Sequence, residues 1–488
     1  MSNEISKLTP IEVWENFYQL TQIPRPSNHE EQIRKFVADF GKSLGLETIQ
    51  DESGNVIIRK PATAGMEKRK GVILQGHLDM VPQKNSDKDH DFTKDPIETM
   101  VDGEWVKSNG TTLGADNGIG VAAAMAVLAS KDIAHGPVEA IFTATEETGM
   151  DGANGLKGGI LKGDILINMD SEDEGELYVG CAGGEDANIQ FNFSEVPVPA
   201  ESIAFKLNVT GLKGGHSGLD IPLGRGNANK IFFRVLKEAS KVCGLRLSSI
   251  NGGNLRNAIP RESFAIVTVP YENADKLVGL VAGLATIIKR ELTATEPTLK
   301  IELSKTEMPE SLIDEKTQTN LTHSIVACPN GVIRMSDSMP GLVETSTNLA
   351  IVKSDQETKT IQISCLMRSS VDSARAELGS RMDSAFTLAG AKVSFTGGYP
   401  GWKPNMNSPI LKTMQQIYQA KFGRIPEIKA IHAGLECGIL GGTYPNWDMI
   451  SFGPTIRFPH SPDEKVNIES VSKFWDFLLE TLKNIPAK

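Results

Sequence analysis

Residues 71–79 read GVILQGHLD, residues 138–147 VEAIFTATEE and residues 164–170 DILINMD. Each is an apolar run of strand length that stops abruptly at acidic residues or histidine, which predicts a strand buried on both faces of a sheet. Between the first two lies NGIGVAAAMAVLAS, an Ala-rich helix expected to begin just after Asp116. The alternation of strand and helix over residues 1–185 predicts an α/β domain with a mainly parallel central sheet. Ligands gather at the carboxyl ends of the strands in such sheets. His77, Asp79, Glu146, Glu147 and Asp170 all fall at those ends.

Around Cys181-Ala-Gly-Gly the pattern changes. The strand FKLNVTGLKG leads through a Gly-rich turn into the helix ANKIFFRVLKEAS, with the strands FAIVTV and KTIQISCLM further on. This predicts an inserted α+β domain over residues 186–397, closed by the Gly- and Pro-rich stretch GGYPGWKPNMNSP. Residues 398–488 are expected to rejoin the first domain through the helix LKTMQQIYQAKF, the apolar stretch MISFGP and the amphipathic ESVSKFWDFLLETLKNI.

Composition narrows the function. A chain of 488 residues with 40% hydrophobic and 23% charged residues has the make-up of a globular protein with more than one domain. Its 61 acidic against 50 basic residues leave a net charge of -11, which argues against nucleic acid and anionic membranes as partners. No run approaches the roughly 20 apolar residues of a membrane span, and MSNEISKLTP lacks the apolar core of a secretory signal, so the expected compartment is the cytoplasm. The five cysteines show no C-x-x-C spacing and are expected to be free thiols. A metal site would therefore be built from His, Asp and Glu.

Five positions suit that chemistry. In Gly76-His77-Leu78-Asp79 the two polar side chains point the same way from extended backbone, so a carboxylate can orient a ligand imidazole. Taken alone, the pair also suits an ordinary loop histidine beside a turn acid. Asp116 by itself reads first as a helix N-cap, although its two oxygens could bridge two cations. The adjacent carboxylates of Glu146 and Glu147 repel unless a cation or proton separates them; one as ligand and its neighbour free as a general base would resolve that, as would a solvated acidic loop. Asp170 heads an acidic run but directly follows a buried strand. His460 lies in Phe458-Pro459-His460-Ser461-Pro462-Asp463, where two prolines stiffen a loop that could equally be plain surface. Two histidines and three carboxylates together match a two-zinc or zinc-like site.

The motifs GHLDMVPQ, TTLGADNGIG, TATEETGMDGA, INMDSEDEGELYVGCAGG, GGHSG, NAIPRE, HAGLECG and PHSPDE resemble, over nearly the whole chain, the zinc peptidase family that includes carboxypeptidase G and the bacterial tripeptidase. The resemblance implies a catalytic domain interrupted by a lid and two zinc ions per chain, which cobalt or manganese can replace. It implies His77 and Asp170 on one metal, Glu147 and His460 on the other, and Asp116 bridging them before a cis peptide bond to Asn117. Glu146 would be the general base and Asp79 the partner of His77. The implied activity is hydrolysis of dipeptides with a free amino terminus, including Xaa-His such as β-alanyl-histidine, by attack of a zinc-bridging water. In the lid, His216 would reach the scissile carbonyl as the lid closes and Asn257 would touch substrate. Short-lid relatives carry an arginine about a dozen residues after that asparagine, but here the strand FAIVTV runs into Pro270. Arg368, at the end of a later strand, is the replacement candidate for binding the substrate carboxylate, with a lid salt bridge as its plainer reading. Aminoacylase or tripeptidase activity, and a catalytically silent metal-binding protein of this fold, are the alternatives. Small peptides are the expected partners, and a homodimer is compatible with the resemblance.

Overall fold

The computed structural model describes residues 4–488 and divides into two compact units. Residues 4–180, 404–430 and 435–488 form the first; residues 181–403 and 431–434 form the second. The divides lie a few residues outside the expected insert of 186–397. The return segment also lends residues 431–434 to the second unit, where the Ala182 N–H donates to the carbonyls of Ile431 and Ala433.

The first unit is built on an eight-stranded sheet in the order Glu47–Gln50, Val56–Lys60, Val138–Thr143, Val72–His77, Ile165–Asn168, Asp448–Ser451, Glu176–Cys181, Glu427–Ile431. Its centre is parallel: Val72–His77 pairs with Val138–Thr143 on one side and Ile165–Asn168 on the other, and Asp448–Ser451 pairs with Ile165–Asn168. Strands further out run antiparallel, as where Val56–Lys60 meets Val138–Thr143. Every residue of the strands Val72–His77, Val138–Thr143 and Ile165–Asn168 is buried, the reason these runs are apolar without alternation. The helix Ala115–Ala129 is likewise buried on nearly every side, and small side chains let it lie close to the sheet.

Register fixes what gathers at the sheet's carboxyl edge. His77 pairs with Thr143, and Gln75 pairs with Ile141 and with Asn168. Chain leaving these strands therefore emerges at one level, bringing His77 to Asp79, Thr145 to Glu147, and Asp170 side by side. A separate four-stranded sheet, in the order Ile456–Arg457, Lys465–Asn467, Trp105–Ser108, Thr99–Asp102, holds both ends of the loop that carries His460.

The second unit is α+β. Its nine-stranded sheet is antiparallel throughout, with Val343–Asp355 and Thr360–Ser369 near the middle. The helices Ala228–Cys243, Ala274–Glu291, Glu315–Ala327 and Asp372–Leu388 bury an apolar cluster against it; Leu378, Met382 and Phe386 place one such stripe at helical spacing. All five cysteines are buried, and none is in a disulfide.

Candidate active site

At the carboxyl edge of the first unit's sheet, five residues separated by up to hundreds of positions come together. His77 Nε2 lies 3.1 Å from Asp116 Oδ1 and 3.3 Å from Asp170 Oδ1. His460 Nε2 lies 3.2 Å from Asp116 Oδ2 and 3.0 Å from Glu147 Oε2. Asp116 thus shows one oxygen to each histidine, between two clusters, His77/Asp116/Asp170 and Asp116/Glu147/His460, whose ligand atoms each fall within 4.8 Å of one another. The Asp116-Asn117 peptide is cis, as the resemblance implied.

Glu146 joins His77 and Glu147 in a third such group. The strand before it ends at Thr143, and Thr145 adopts a left-handed conformation at φ 57, so Glu146 and Glu147 open a short helix, Glu146–Gly149, rather than closing a strand. Asp79, fully buried, supports that turn. Its Oδ1 accepts the Glu146 N–H at 3.0 Å and lies 3.3 Å from His77 Nδ1, while Oδ2 accepts the Glu147 N–H at 3.1 Å and the Ser27 hydroxyl at 2.8 Å. The carboxylate therefore anchors the paired glutamates and lies against the imidazole, whose Nδ1 also meets the Asp79 backbone carbonyl at 3.1 Å.

The electrostatics show what such crowding costs. Burial raises Glu146 well above the usual carboxyl range, and Asp170, Glu436 and Glu147 raise it further. Burial carries Asp170 to about 7 against the pull of His77. Hydrogen bonds to Asp116 and Glu147 push His460 up to about 11, and His77 lies well above its ordinary value because Asp170 and Asp116 outweigh its burial. Among the described residues, buried Glu147 Oε1 has no hydrogen-bond partner, and buried Asp170 Oδ1 has only the 3.3 Å approach of His77 Nε2. Acceptors left unpaired among like charges, with imidazole nitrogens beside them, form a donor set that fits borderline divalent cations such as zinc.

Further residues shape the site without having been singled out from sequence. Glu436, 1% exposed, accepts from Gln75 Nε2 at 2.5 Å and Thr143 Oγ1 at 2.7 Å, and burial raises it to about 7. Glu464 accepts four backbone N–H groups of the Asp116 turn, and burial likewise raises it to about 7. Arg25, buried, donates to the carbonyls of Leu78, Asp79 and Gly114. The motifs HAGLECG and PHSPDE contain both glutamates, but only their burial after a turn could have marked them.

Within the second unit, His216, Ser217, Arg368, Tyr399 and His432 cluster. His216 Nδ1 accepts the N–H groups of Gly218 at 3.2 Å and Leu219 at 3.0 Å, which places the proton of the neutral ring on Nε2. That Nε2–H lies 3.5 Å from Arg368 Nη2, so two donors face one region. Arg368, 5% exposed, has no carboxylate within ion-pair distance among the described residues, which removes the lid salt bridge as its explanation. Its neighbours are Ser217 Oγ at 3.4 Å and Tyr399 Oη at 3.3 Å. A buried guanidinium without an anion is costly, and a ligand carboxylate would relieve it. Burial and the charge of Arg368 hold His432 down at about 3, so it is neutral beside them. Asn257 is exposed and its carbonyl accepts the Ser217 N–H at 2.9 Å.

An imidazole and carboxylate cluster at the carboxyl edge of a parallel sheet, with a free glutamate beside it, defines a hydrolase of the metal-dependent type. Residues 73–484 match the model of peptidase family M20/M25/M40, and the chain belongs to that family. It is 50% identical over 486 residues to the cytosol non-specific dipeptidase of Escherichia coli (strain K12), covering all of both chains. The crystal structure of aminoacylhistidine dipeptidase from Vibrio alginolyticus superposes with a TM-score of 0.94 at 49% identity, covering 99% of this chain and 98% of that one. Aminopeptidase PepT from Bacillus cereus shares the fold, with a TM-score of 0.57 at 16% identity over 98% of this chain and 99% of that one.

Proposed function

We propose that the chain hydrolyses dipeptides with a free amino terminus, Xaa-His substrates such as β-alanyl-histidine among them, at a site for two zinc ions that cobalt or manganese can replace. The observation that carries this reading is Glu146: a carboxylate beside both ligand clusters, whose side chain accepts no hydrogen bond among the described residues. His77 and Asp170 would hold one cation, Glu147 and His460 the other, and Asp116 both. Cations bound there supply Lewis acidity, making a water acidic and offsetting the charge that grows on the attacked carbonyl. Glu146 would take the proton of the attacking water and return it to the leaving amine. Asp79 would keep the His77 Nδ1–H engaged so that Nε2 faces Asp116 and Asp170.

From the second unit, His216 would donate its Nε2–H to the carbonyl oxygen as charge develops. Arg368 would grip the substrate's terminal carboxylate with its planar fork, and Asn257 would contact the backbone of the bound peptide. The reading extends to a cytoplasmic, carnosinase-like enzyme whose partners are small peptides, with a homodimer as the assembly to test by sedimentation. No helix among the described residues is long and apolar enough to cross a membrane.

The test is a hydrolysis panel run with metal content measured on the same samples. β-Alanyl-histidine and other dipeptides should be cleaved, chelation should abolish the reaction, and zinc should restore it. Cleavage confined to N-acyl amino acids or to tripeptides would replace the dipeptidase reading by the aminoacylase or tripeptidase one. Protein that binds no divalent cation would overturn both.

A further inference from the structure

Four residues beyond His460, in the loop between Ile456–Arg457 and Lys465–Asn467, lies Glu464, 2% exposed. Its carboxylate has no cationic side chain within ion-pair distance among the described residues. It instead accepts four consecutive backbone N–H groups: Oε2 from Leu113 at 2.8 Å and Gly114 at 2.9 Å, Oε1 from Ala115 at 2.8 Å and Asp116 at 3.2 Å. These groups converge because Gly114 takes a left-handed conformation, φ 72, which curls the chain into a concave nest for an anion. From the other side, Arg25 donates to the Gly114 carbonyl and to the carbonyls of Leu78 and Asp79.

The turn that aims Asp116 is therefore bound to the loop that carries His460 by one side chain. The four-stranded sheet pins the two ends of the His460 loop, and Glu464 ties it to the turn itself; between those ends the loop contains two non-glycine residues at positive φ, Phe458 at 56° and His460 at 59°, a conformation that surroundings must enforce. Metal affinity depends on ligand positions held to within a few tenths of an ångström, and the partners that orient ligands contribute strongly to it.

We propose that Glu464 is a positioning residue that fixes Asp116 relative to His460, and thereby sets the affinity of the cation these two would hold together with Glu147. This rests on the cation pair proposed above and goes beyond it by weighting the two sites differently: both cations would share Asp116, but only the one held by His460 and Glu147 also takes a ligand from the loop that carries Glu464, so it depends on both ends of the link. In Glu464→Gln, the amide turns an acceptor into a donor facing two N–H groups. Glu464→Asp keeps the carboxylate but draws it back by one methylene.

The experiment is a titration of chelator-stripped full-length protein with Co²⁺, followed by calorimetry and by the visible absorption of each bound equivalent, with the melting temperature of each stripped variant recorded in parallel. Wild type should bind two equivalents. Glu464→Gln should bind the second equivalent roughly 10–100-fold more weakly, and the first, which shares Asp116 but takes no ligand from the His460 loop, with a clearly smaller loss. Glu464→Asp should fall between them, and His460→Ala should lose the same equivalent. A second equivalent bound within twofold of wild type by Glu464→Gln would overturn the proposal. So would equal weakening of both equivalents in step with a lower melting temperature, the mark of general structural support. Should Glu464→Gln fail to fold, selective weakening in Glu464→Asp supports the proposal and wild-type binding by it overturns it. Wild type binding fewer than two equivalents would instead overturn the cation pair itself, and this inference with it.

Discussion

Stripping divalent cations should destabilise this protein more at pH 8.5 than at pH 5.5. Without cations the positive charges in the cluster are protons: His460 is pushed up to about 11 by Asp116 and Glu147, and burial keeps Asp170 protonated to about 7. Both folded values lie above those of the unfolded chain, so the folded state holds protons that the unfolded state has released, and stability falls as pH rises. For Asp170 the loss begins near the ordinary carboxyl value and is complete above about 7; for His460 it runs from the ordinary imidazole value upward through about 11. Between pH 5.5 and 8.5 Asp170 alone accounts for about 2 kcal/mol, or about 4 °C of melting temperature for a domain of this size. The half-exposed His460 acts in the same direction, reduced by solvent. Cations displace these protons and bind best when they have gone. Each ion present at 100 times its dissociation constant adds about 2.7 kcal/mol, so at pH 8.5 the gap between loaded and stripped protein should approach about 10 °C, and at pH 5.5 it should shrink. Scanning fluorimetry with and without chelator at both pH values measures this, with Asp170→Asn as the control whose stripped form should show a flatter pH dependence. A stripped protein that melts no lower at pH 8.5 than at pH 5.5, or a melting temperature indifferent to chelation at pH 8.5, would refute the account of the cluster.

Other perturbations separate the roles of single residues. Glu146→Gln should retain both cations by mass spectrometry of metals while kcat drops about 10²–10⁴-fold; turnover near wild type would remove Glu146 as the base. Arg368→Lys keeps the charge but loses the fork, so KM for dipeptides should rise at least about tenfold while a C-terminally amidated dipeptide, if cleaved, is little affected; an equal effect on both would detach Arg368 from carboxylate recognition. Gly453→Ala would drive a Cβ into the Ser171 carbonyl oxygen next to Asp170, and a loss of about 1–3 kcal/mol in denaturant melts is expected; an unchanged midpoint would show that this strand end can yield.

What could be read from sequence, and what could not, follows from the kind of signal each residue leaves. Apolar runs such as VILQ and ILIN report burial, and the polar residue that ends such a run reports an edge; this is why His77, Asp79 and Asp170 stood out and why the structure has them side by side. The same logic put Glu146 and Glu147 at a strand end, but a left-handed Thr145 lets them start a helix, a choice made by Asp79 accepting both N–H groups across the sheet. The antiparallel outer strands were hidden for a related reason: periodicity tells how many faces are buried and is silent on strand direction. Glu464 and Glu436 left the faintest trace, because their partners are backbone N–H groups and neutral side chains more than 290 positions away, and such bonds impose no pattern on neighbouring residues. Their placement also explains why the cluster tolerates so much negative charge. Asp79 and Glu464 spend their oxygens on backbone N–H groups, whereas among the described residues Glu147 keeps an oxygen with no hydrogen-bond partner and Asp170 Oδ1 meets only the His77 imidazole at 3.3 Å. The carboxylates thus fall into those that hold the backbone and those that await a cation, and the first kind is what keeps the second from relaxing apart when no cation is bound.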